Sequence, residues 1–186
     1  MQAIIDEEVN SLLSRGCIEP SCSPYSFLIT LVKKKNGSWR KCMDFRQLNA
    51  CSIPDAYPLP RINIIFDRLK DAEFISSLDL KDDYGQIPMD EGSRKYTAFA
   101  VTGRRLFQRR VMPFGLHSTP VTFQRALDRV IGPDMKAYAF AYLDDIIVIG
   151  KTFDVHLKNL KEVFRRLRAA KLKINIDKCE FFKTET

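Results

Sequence analysis

The sequence has no apolar run approaching the ~18 residues needed to cross a bilayer, so a helical membrane span is not expected. Its N-terminus, MQAIIDEEVN, lacks the basic start and apolar stretch of a secretory signal. Histidine is scarce. His117 and His156 are isolated from each other and do not suggest a zinc or histidine-based centre. His156 reads as an ordinary helix residue. The five cysteines, Cys17, Cys22, Cys42, Cys51 and Cys179, are odd in number and scattered. Cys17 and Cys22 are near neighbours, but no second Cys or His pair completes a zinc site. Reduced thiols in an intracellular protein are the expectation. Internal repeats and low-complexity segments are also lacking.

Positive charge, by contrast, is in excess: the net charge is +7 and the pI about 9.2. That balance suits a polyanionic partner. The charge is also clustered. Lys33, Lys34, Lys35, Arg40, Lys41 and Arg46 fall in one short stretch. Arg104, Arg105, Arg109 and Arg110 form a second group, and Lys158, Lys161, Arg165, Arg166 and Arg168 lie on one expected helix. A solvated face is the plain reading of each cluster. The first contains a tryptophan and a turn, which favours phosphate binding. Composition is otherwise that of an ordinary globular protein, and 186 residues suffice for one sizeable domain or two small ones.

Helical spacing of Ile4, Ile5, Val9, Leu12 and Leu13 predicts a helix over 2–15, stopped by Gly16. Cys17–Tyr25, with two prolines and several serines, reads as extended or looped. Strand-like runs Phe27–Val32 and Trp39–Phe45 flank Asn36-Gly37, a strong hairpin signal because both residues tolerate positive φ. Pro54, Pro58 and Pro60 mark a linker, followed by a helix from about Pro60 or Arg61 to Lys70. Strands are expected over Phe74–Leu80, Tyr96–Val101, Leu106–Met112, Tyr138–Tyr142, Ile146–Ile149 and Leu172–Phe182. Helices are expected from Ser118 to Ile131 and from Thr152 to Ala170. Strands and helices mingle without strict βαβ alternation, so the fold class is α+β.

The most informative segment is AYAFAYLDDIIVIG. Asp144 and Asp145 sit between two runs that look fully buried. Ionised carboxylates there are costly unless they are paired or hold a metal. A surface hairpin turn is the bland alternative, since Asp is common in turns. Asp79, ending the strand FISSLDL, changes the balance. Three aspartates from two adjacent strands suit two Mg²⁺ or Mn²⁺ ions ~3.5–4 Å apart, as in phosphoryl transfer.

The motifs SPYSFLITLVKKKNGSWRKCMDFRQLN, IPDAYPLPRI, FISSLDL, YGQIPM, TAF, VMPFGLHSTPVTFQRAL, YLDDIIVIG and LKINIDKCEF stand in family order between Leu12 and Phe182. The chain resembles the reverse transcriptase of gypsy-type LTR retrotransposons and, more distantly, retroviral reverse transcriptases. The resemblance implies a right-hand polymerase, with fingers over 1–72 including a linker to the palm. The palm, an antiparallel sheet packed on helices, would span 73–186, with a fingers insertion around 85–115. Thumb, connection and RNase H segments of a longer polyprotein would lie outside this sequence. The implied activity is RNA-directed DNA synthesis, transferring a nucleotide from a dNTP to the primer 3′-OH on an RNA or DNA template. An intracellular, cytoplasmic location in a retroelement particle follows from the family.

Site residues carry over by position. Asp79, Asp144 and Asp145 would be the catalytic carboxylates and metal ligands. Asp79 and Asp144 would bridge the ions, with the Leu80 carbonyl as a further ligand. Tyr84 would exclude a ribose 2′-OH, its plain reading being a packed core tyrosine. Arg40 would contact the triphosphate with Lys34 as partner, while Lys33 and Lys35 compete for that role. Phe114 and Gly115 would line the nucleotide pocket, with Gln124 on the helix behind it. Tyr142 and Leu143 would border the primer end, and Lys178 would protonate the leaving pyrophosphate.

Four positions depart from the family pattern. Asp82 and Asp83 replace small residues, Gly85 a larger one, and Arg109 an apolar or aromatic one. Two other functions compete. One is a catalytically inactive nucleic-acid-binding module of the same fold. The other is a different two-metal enzyme such as a nuclease, against which the basic hairpin and Tyr84 argue because hydrolysis needs neither.

Overall fold

The computed structural model describes residues 2–33, 39–142 and 144–183. In chain order the elements are α1 (Gln2–Ser14), β1 (Ile18–Pro20), β2 (Ile29–Lys33), β3 (Trp39–Met43), α2 (Arg46–Cys51), α3 (Ile62–Lys70), β4 (Phe74–Asp79) and α4 (Glu91–Arg94). There follow β5 (Phe99–Ala100), β6 (Leu106–Arg109), α5 (Thr119–Ile131), β7 (Ala139–Tyr142), β8 (Asp145–Gly150), α6 (Phe153–Ala169) and β9 (Glu180–Lys183). The chain forms two compact units. One holds residues up to Pro54 with Ile87–Thr119, the other Asp55–Gln86 with the chain from Pro120 onward.

In the first unit α1 lays one face on a small apolar core. Val9 is buried with Ile18, Phe99, Val101 and Phe107, and Ile5, Leu12 and Leu13 pack at its edge. Gly16 ends the helix at φ +66, where an L side chain would be strained. The Gly16 and Cys17 N–H groups then donate to the carbonyls of Leu13 and Leu12. The sheet order is β1–β6–β5. The stretch read as extended or looped contains a strand, β1. It is an edge strand, where Pro20 is tolerated because its missing N–H faces no partner. The basic hairpin forms as expected, with β2 antiparallel to β3 from Ile29↔Met43 to Lys33↔Trp39. Its Asn36-Gly37 turn lies outside the described residues. The strand expected over Tyr96–Val101 shrinks to two residues, because Lys95–Thr97 coil into a 3₁₀ turn.

Arg109, one of the departures noted above, lies in β6 opposite Ile18. It borders a cavity of about 40 Å³ with Ile5, Glu8, Leu12, Ile29, Met43 and Phe99. Burial pulls its guanidinium pKa down, opposed by Cys17 and Glu8. Its Nε is buried with no hydrogen-bond partner. A charge held this way is poorly compensated, and an apolar side chain of similar length suits the site better. Arg109→Met should stabilise the protein by about 1 kcal/mol, read as a raised urea midpoint. An unchanged or lowered midpoint would show that the charge is well accommodated.

In the second unit a four-stranded antiparallel sheet runs β7–β8–β4–β9. Leu78, Ile146 and Val148 are buried in it. Thr152 caps α6 by accepting from the Val155 N–H, and Arg166 and Arg168 complement the dipole in its last turn. Leu160, Val163 and Leu167 form the buried stripe of α6. In α5, Phe123, Leu127 and Ile131 repeat every fourth residue and are buried. Ile65 of α3 packs with Phe140 and Ile149. His156 is fully buried, and burial lowers its pKa. Its Nε2 lies 2.7 Å from Ser76 Oγ, which also accepts the Phe182 N–H at 3.1 Å. Its Nδ1 is buried with no hydrogen-bond partner. The last expected strand, Leu172–Phe182, is strand only over β9. Before it, Ile176–Lys178 form a 3₁₀ turn.

No described helix is long and apolar enough to cross a membrane. Cys17, Cys22, Cys51 and Cys179 are free thiols.

Candidate active site

The acidic residues gather at one end of the second unit's sheet. β4 and β8 pair antiparallel from Phe74↔Gly150 to Asp79↔Asp145. The last residue of one strand thus faces the first residue of the other. Cross-strand neighbours lie only ~4.5–5.5 Å apart at Cα, so the two carboxylates share one locality. Asp144 precedes Asp145 in the turn, and Tyr142, ending β7, is registered against Asp145.

The electrostatics bear out the crowding. The Asp145 pKa is raised, first by loss of solvent on its inner side, then by Asp79 and Asp144, with Lys178 opposing. Asp144 Oδ1 is buried and has no hydrogen-bond partner. A buried oxygen acceptor left unmatched beside two more carboxylates is a donor set suited to a hard cation. Among the described residues no group of three or more His, Cys, Asp or Glu forms a ready-made metal cage. Mg²⁺ is bound by one or two carboxylates completed by waters and substrate phosphates, and Asp145 opposite Asp79 supplies carboxylates of that kind. The residues present therefore fit such ions.

Other residues singled out from the sequence lie in the same unit as this cluster. Leu80 is buried and bridges to Ile174. Tyr84 is buried, its ring edge-on to Phe123 at 5.1 Å between centroids. Gln124 is completely buried. Its Nε2 donates to the Ala141 carbonyl at 3.0 Å and to Asp128 Oδ1 at 3.1 Å. It thereby ties α5 to the strand that leads into the acidic turn. Asp128 also accepts from the Tyr57 hydroxyl at 2.6 Å. Lys178 Nζ lies 3.4 Å from Asp79 Oδ2. Asp82 has φ +57. Gly85 has room for a side chain, since an added Cβ would meet only Asp82 Cβ at 3.7 Å.

Arg40, Phe114 and Gly115 belong to the first unit. Arg40 stands in β3 opposite Val32, its side chain outside the described residues. Lys34 and Leu143 lie outside the described residues altogether. Phe114 is exposed, and Gly115 adopts φ +97.

Residues not singled out from the sequence hold the site together. The Asn175 N–H donates to the Asp79 carbonyl at 2.8 Å, and the Lys81 N–H to the Lys173 carbonyl at 2.9 Å. Gln86 grips Lys173 twice, donating from Nε2 to its carbonyl at 2.9 Å and accepting its N–H at 2.7 Å. The segment 173–179 is thus laced to the strand end that carries Asp79. Nothing in periodicity or spacing signals a side chain that bonds to distant main chain.

Comparison with known proteins agrees with this geometry. Residues 32–186 match the family "Reverse transcriptase (RNA-dependent DNA polymerase)". The chain is 40% identical over 188 residues to the retrovirus-related Pol polyprotein from transposon 412 of Drosophila melanogaster, covering 97% of this chain and 15% of that protein. It is 37% identical over 185 residues to the Pol polyprotein from transposon gypsy of the same organism, covering 96% of this chain and 18% of that protein. This chain thus spans less than a fifth of the length of these relatives. Among solved structures, the foamy viral protease-reverse transcriptase in complex with RNA/DNA hybrid superposes with a TM-score of 0.89 at 23% identity, covering 100% of this chain and 25% of that one. A complex of the same viral protein with double-stranded DNA gives 0.87 at 24% identity, covering 98% and 32%. The fold is therefore that of the fingers and palm of these polymerases, and the chain belongs to the reverse transcriptase (RNA-dependent DNA polymerase) family.

Proposed function

We propose that the protein carrying this chain is an RNA-directed DNA polymerase that adds dNTPs to a primer 3′ end on an RNA or DNA template. The observation that carries the reading is the Asp79↔Asp145 pairing beside Asp144 with its unmatched buried oxygen. Asp79 and Asp144, with Asp145, would hold two Mg²⁺ or Mn²⁺ ions. Such ions, when bound, supply activation of the primer hydroxyl and charge neutralisation on the transferring phosphoryl group.

The chain's own residues do the positioning on which such transfer depends. Tyr84, stiffened by the Phe123 ring, forms a wall that leaves no room for a 2′-hydroxyl. Arg40 and Lys34 bind triphosphate oxygens, Arg40 through its planar fork. Phe114 and Gly115 flank the nucleotide, and the Leu80 carbonyl adds an oxygen to the acidic cluster. Gln124 secures the strand behind it. Tyr142 and Leu143 border the primer end. Lys178, already beside Asp79, donates a proton to the departing pyrophosphate. Residues 1–72 serve as fingers with the linker and 73–186 as palm, with a fingers insertion around 85–115. Thumb, connection and RNase H segments belong to a longer polyprotein that acts in the cytoplasm within a retroelement particle.

The test is primer extension on an RNA template by the polymerase that carries this chain. Extension should require Mg²⁺ or Mn²⁺ and stop on chelation. Salt-sensitive binding of RNA–DNA duplex, with neither extension nor Mn²⁺ binding by calorimetry, would instead identify a binding module.

A further inference from the structure

We propose that Asn49 is the positioning residue of the loop that presents Phe114 and Gly115 to the nucleotide. The inference rests on the polymerase reading above and concerns only the first unit. Asn49 lies in α2, 66 residues before Gly115 in sequence. Its side chain is spent entirely on this loop. Nδ2 donates to the Gly115 carbonyl at 2.8 Å. Oδ1 accepts the His117 N–H at 3.0 Å and lies 2.9 Å from His117 Nδ1.

Main-chain groups fix which way the amide points. A carbonyl can only accept and an amide N–H can only donate, so the amide oxygen must face His117 and its nitrogen must face Gly115. His117 Nδ1 then faces an acceptor and carries the proton. That leaves Nε2 without a proton in the neutral ring, buried and with no partner. Structures tolerate an orphaned buried acceptor where neighbouring bonds over-determine the site.

The loop needs such a clamp. Gly115 has φ +97, a conformation that glycine alone adopts without strain. A Cβ there would stand 3.5 Å from the Phe45 ring and 3.6 Å from the Met43 carbonyl, so the loop is packed on one side. Phe114, immediately before the anchored Gly115, is 60% exposed. One side chain gripping Gly115 and His117 fixes the course of the backbone that directly follows this aromatic. Preorganisation of this kind acts on nucleotide affinity more than on the chemical step.

Asn49→Asp separates the two halves of the clamp. It keeps the acceptor for His117 and sets a carboxylate oxygen against the Gly115 carbonyl. In the full polymerase, the dNTP KM should rise by about tenfold, the loss of one hydrogen bond. Neither kcat nor template–primer affinity should follow. A fall in kcat with unchanged KM, a change confined to template–primer affinity, or no change would overturn the proposal.

Hydrogen exchange supplies a readout independent of activity and of complete folding success with either variant. The His117 amide should keep its protection in Asn49→Asp and lose about tenfold in Asn49→Ala. Equal protection in all three proteins would also overturn the clamp. Absence of extension by the wild-type polymerase would instead remove the polymerase reading, while the exchange result still decides the contact.

Discussion

Asp144→Asn is expected to lower primer extension by on the order of 10³-fold while leaving the protein folded and, at neutral pH, more stable. The catalytic loss follows from charge. The acidic cluster offers little besides carboxylate oxygens for a cation, and an amide oxygen is a much weaker ligand for a hard ion. The gain in stability follows from the crowding at Asp145, whose carboxyl is raised by burial and then by Asp79 and Asp144. A folded-state pKa above the unfolded value, about 4, means that the folded protein binds the proton more tightly. Stability is then fully present below the unfolded pKa and declines as pH rises through the folded one. Removing the Asp144 charge relieves part of that decline. The Tm advantage of the variant should therefore be present at pH 7 and vanish below about pH 4. Saturating Mg²⁺ should narrow it by stabilising wild type preferentially. A variant that extends primers at the wild-type rate would remove Asp144 from the site. A Tm gain that persists at low pH would show that repulsion is not its source.

Gly150→Ala is expected to cost on the order of 3 kcal/mol, although glycine's conformational freedom is not used there. Its φ lies outside the left-handed region. The constraint is space. An added Cβ would stand 2.6 Å from both Cα and Cβ of His156 and 2.7 Å from its nitrogen. Those atoms belong to the first turns of α6, which cannot yield without shifting the helix off the sheet. His156 is itself fixed by Ser76 in β4. Gly85→Ala is the matched contrast: with an ordinary 3.7 Å neighbour and no positive φ, it should change stability by less than about 1 kcal/mol. Urea unfolding of the two variants side by side tests the argument. Comparable losses would mean that α6 accommodates the methyl group and that close approach is not why residue 150 is glycine.

Much of the fold was legible because burial imposes periodicity. The observed limits of α1, α3, α5 and α6 lie close to those the spacing predicts, although α3 leaves Ile64 and Phe66 exposed. The strands around the acidic turn were legible as short apolar runs. Elements too short to show a period were not: β1 has three residues and α2 has six. Their existence depends on partners elsewhere in the chain, β1 on β6 for example. The segment after α6 misled for a related reason. Its apolar residues suggest one strand over Leu172–Phe182. Contacts with Asp79, Leu80 and Lys81 instead hold its first half as a bridge and a turn.

The candidate site divides in the same way. The residue types at Asp79, Asp144 and Asp145 were readable because carboxylates beside buried strands demand an explanation in any fold. The supporting contacts of Asn49, Gln86 and Asn175 were not. Asn49 and Gln86 spend their side-chain amides, and Asn175 its backbone N–H, on partners far away in sequence, and main-chain partners leave no trace in residue identity.

By itself, then, the chain of residues determined which segments hide their side chains from water and where negative charge must be neutralised. Both are local properties of hydrophobicity and ionisation. Tertiary structure alone decided that Asp79 stands opposite Asp145, that His156 leaves no space at residue 150, and that Asn49 grips the turn that follows Phe114. Register, close approach and hydrogen-bond partnership depend on distances between remote segments, and those distances exist only once the chain has folded.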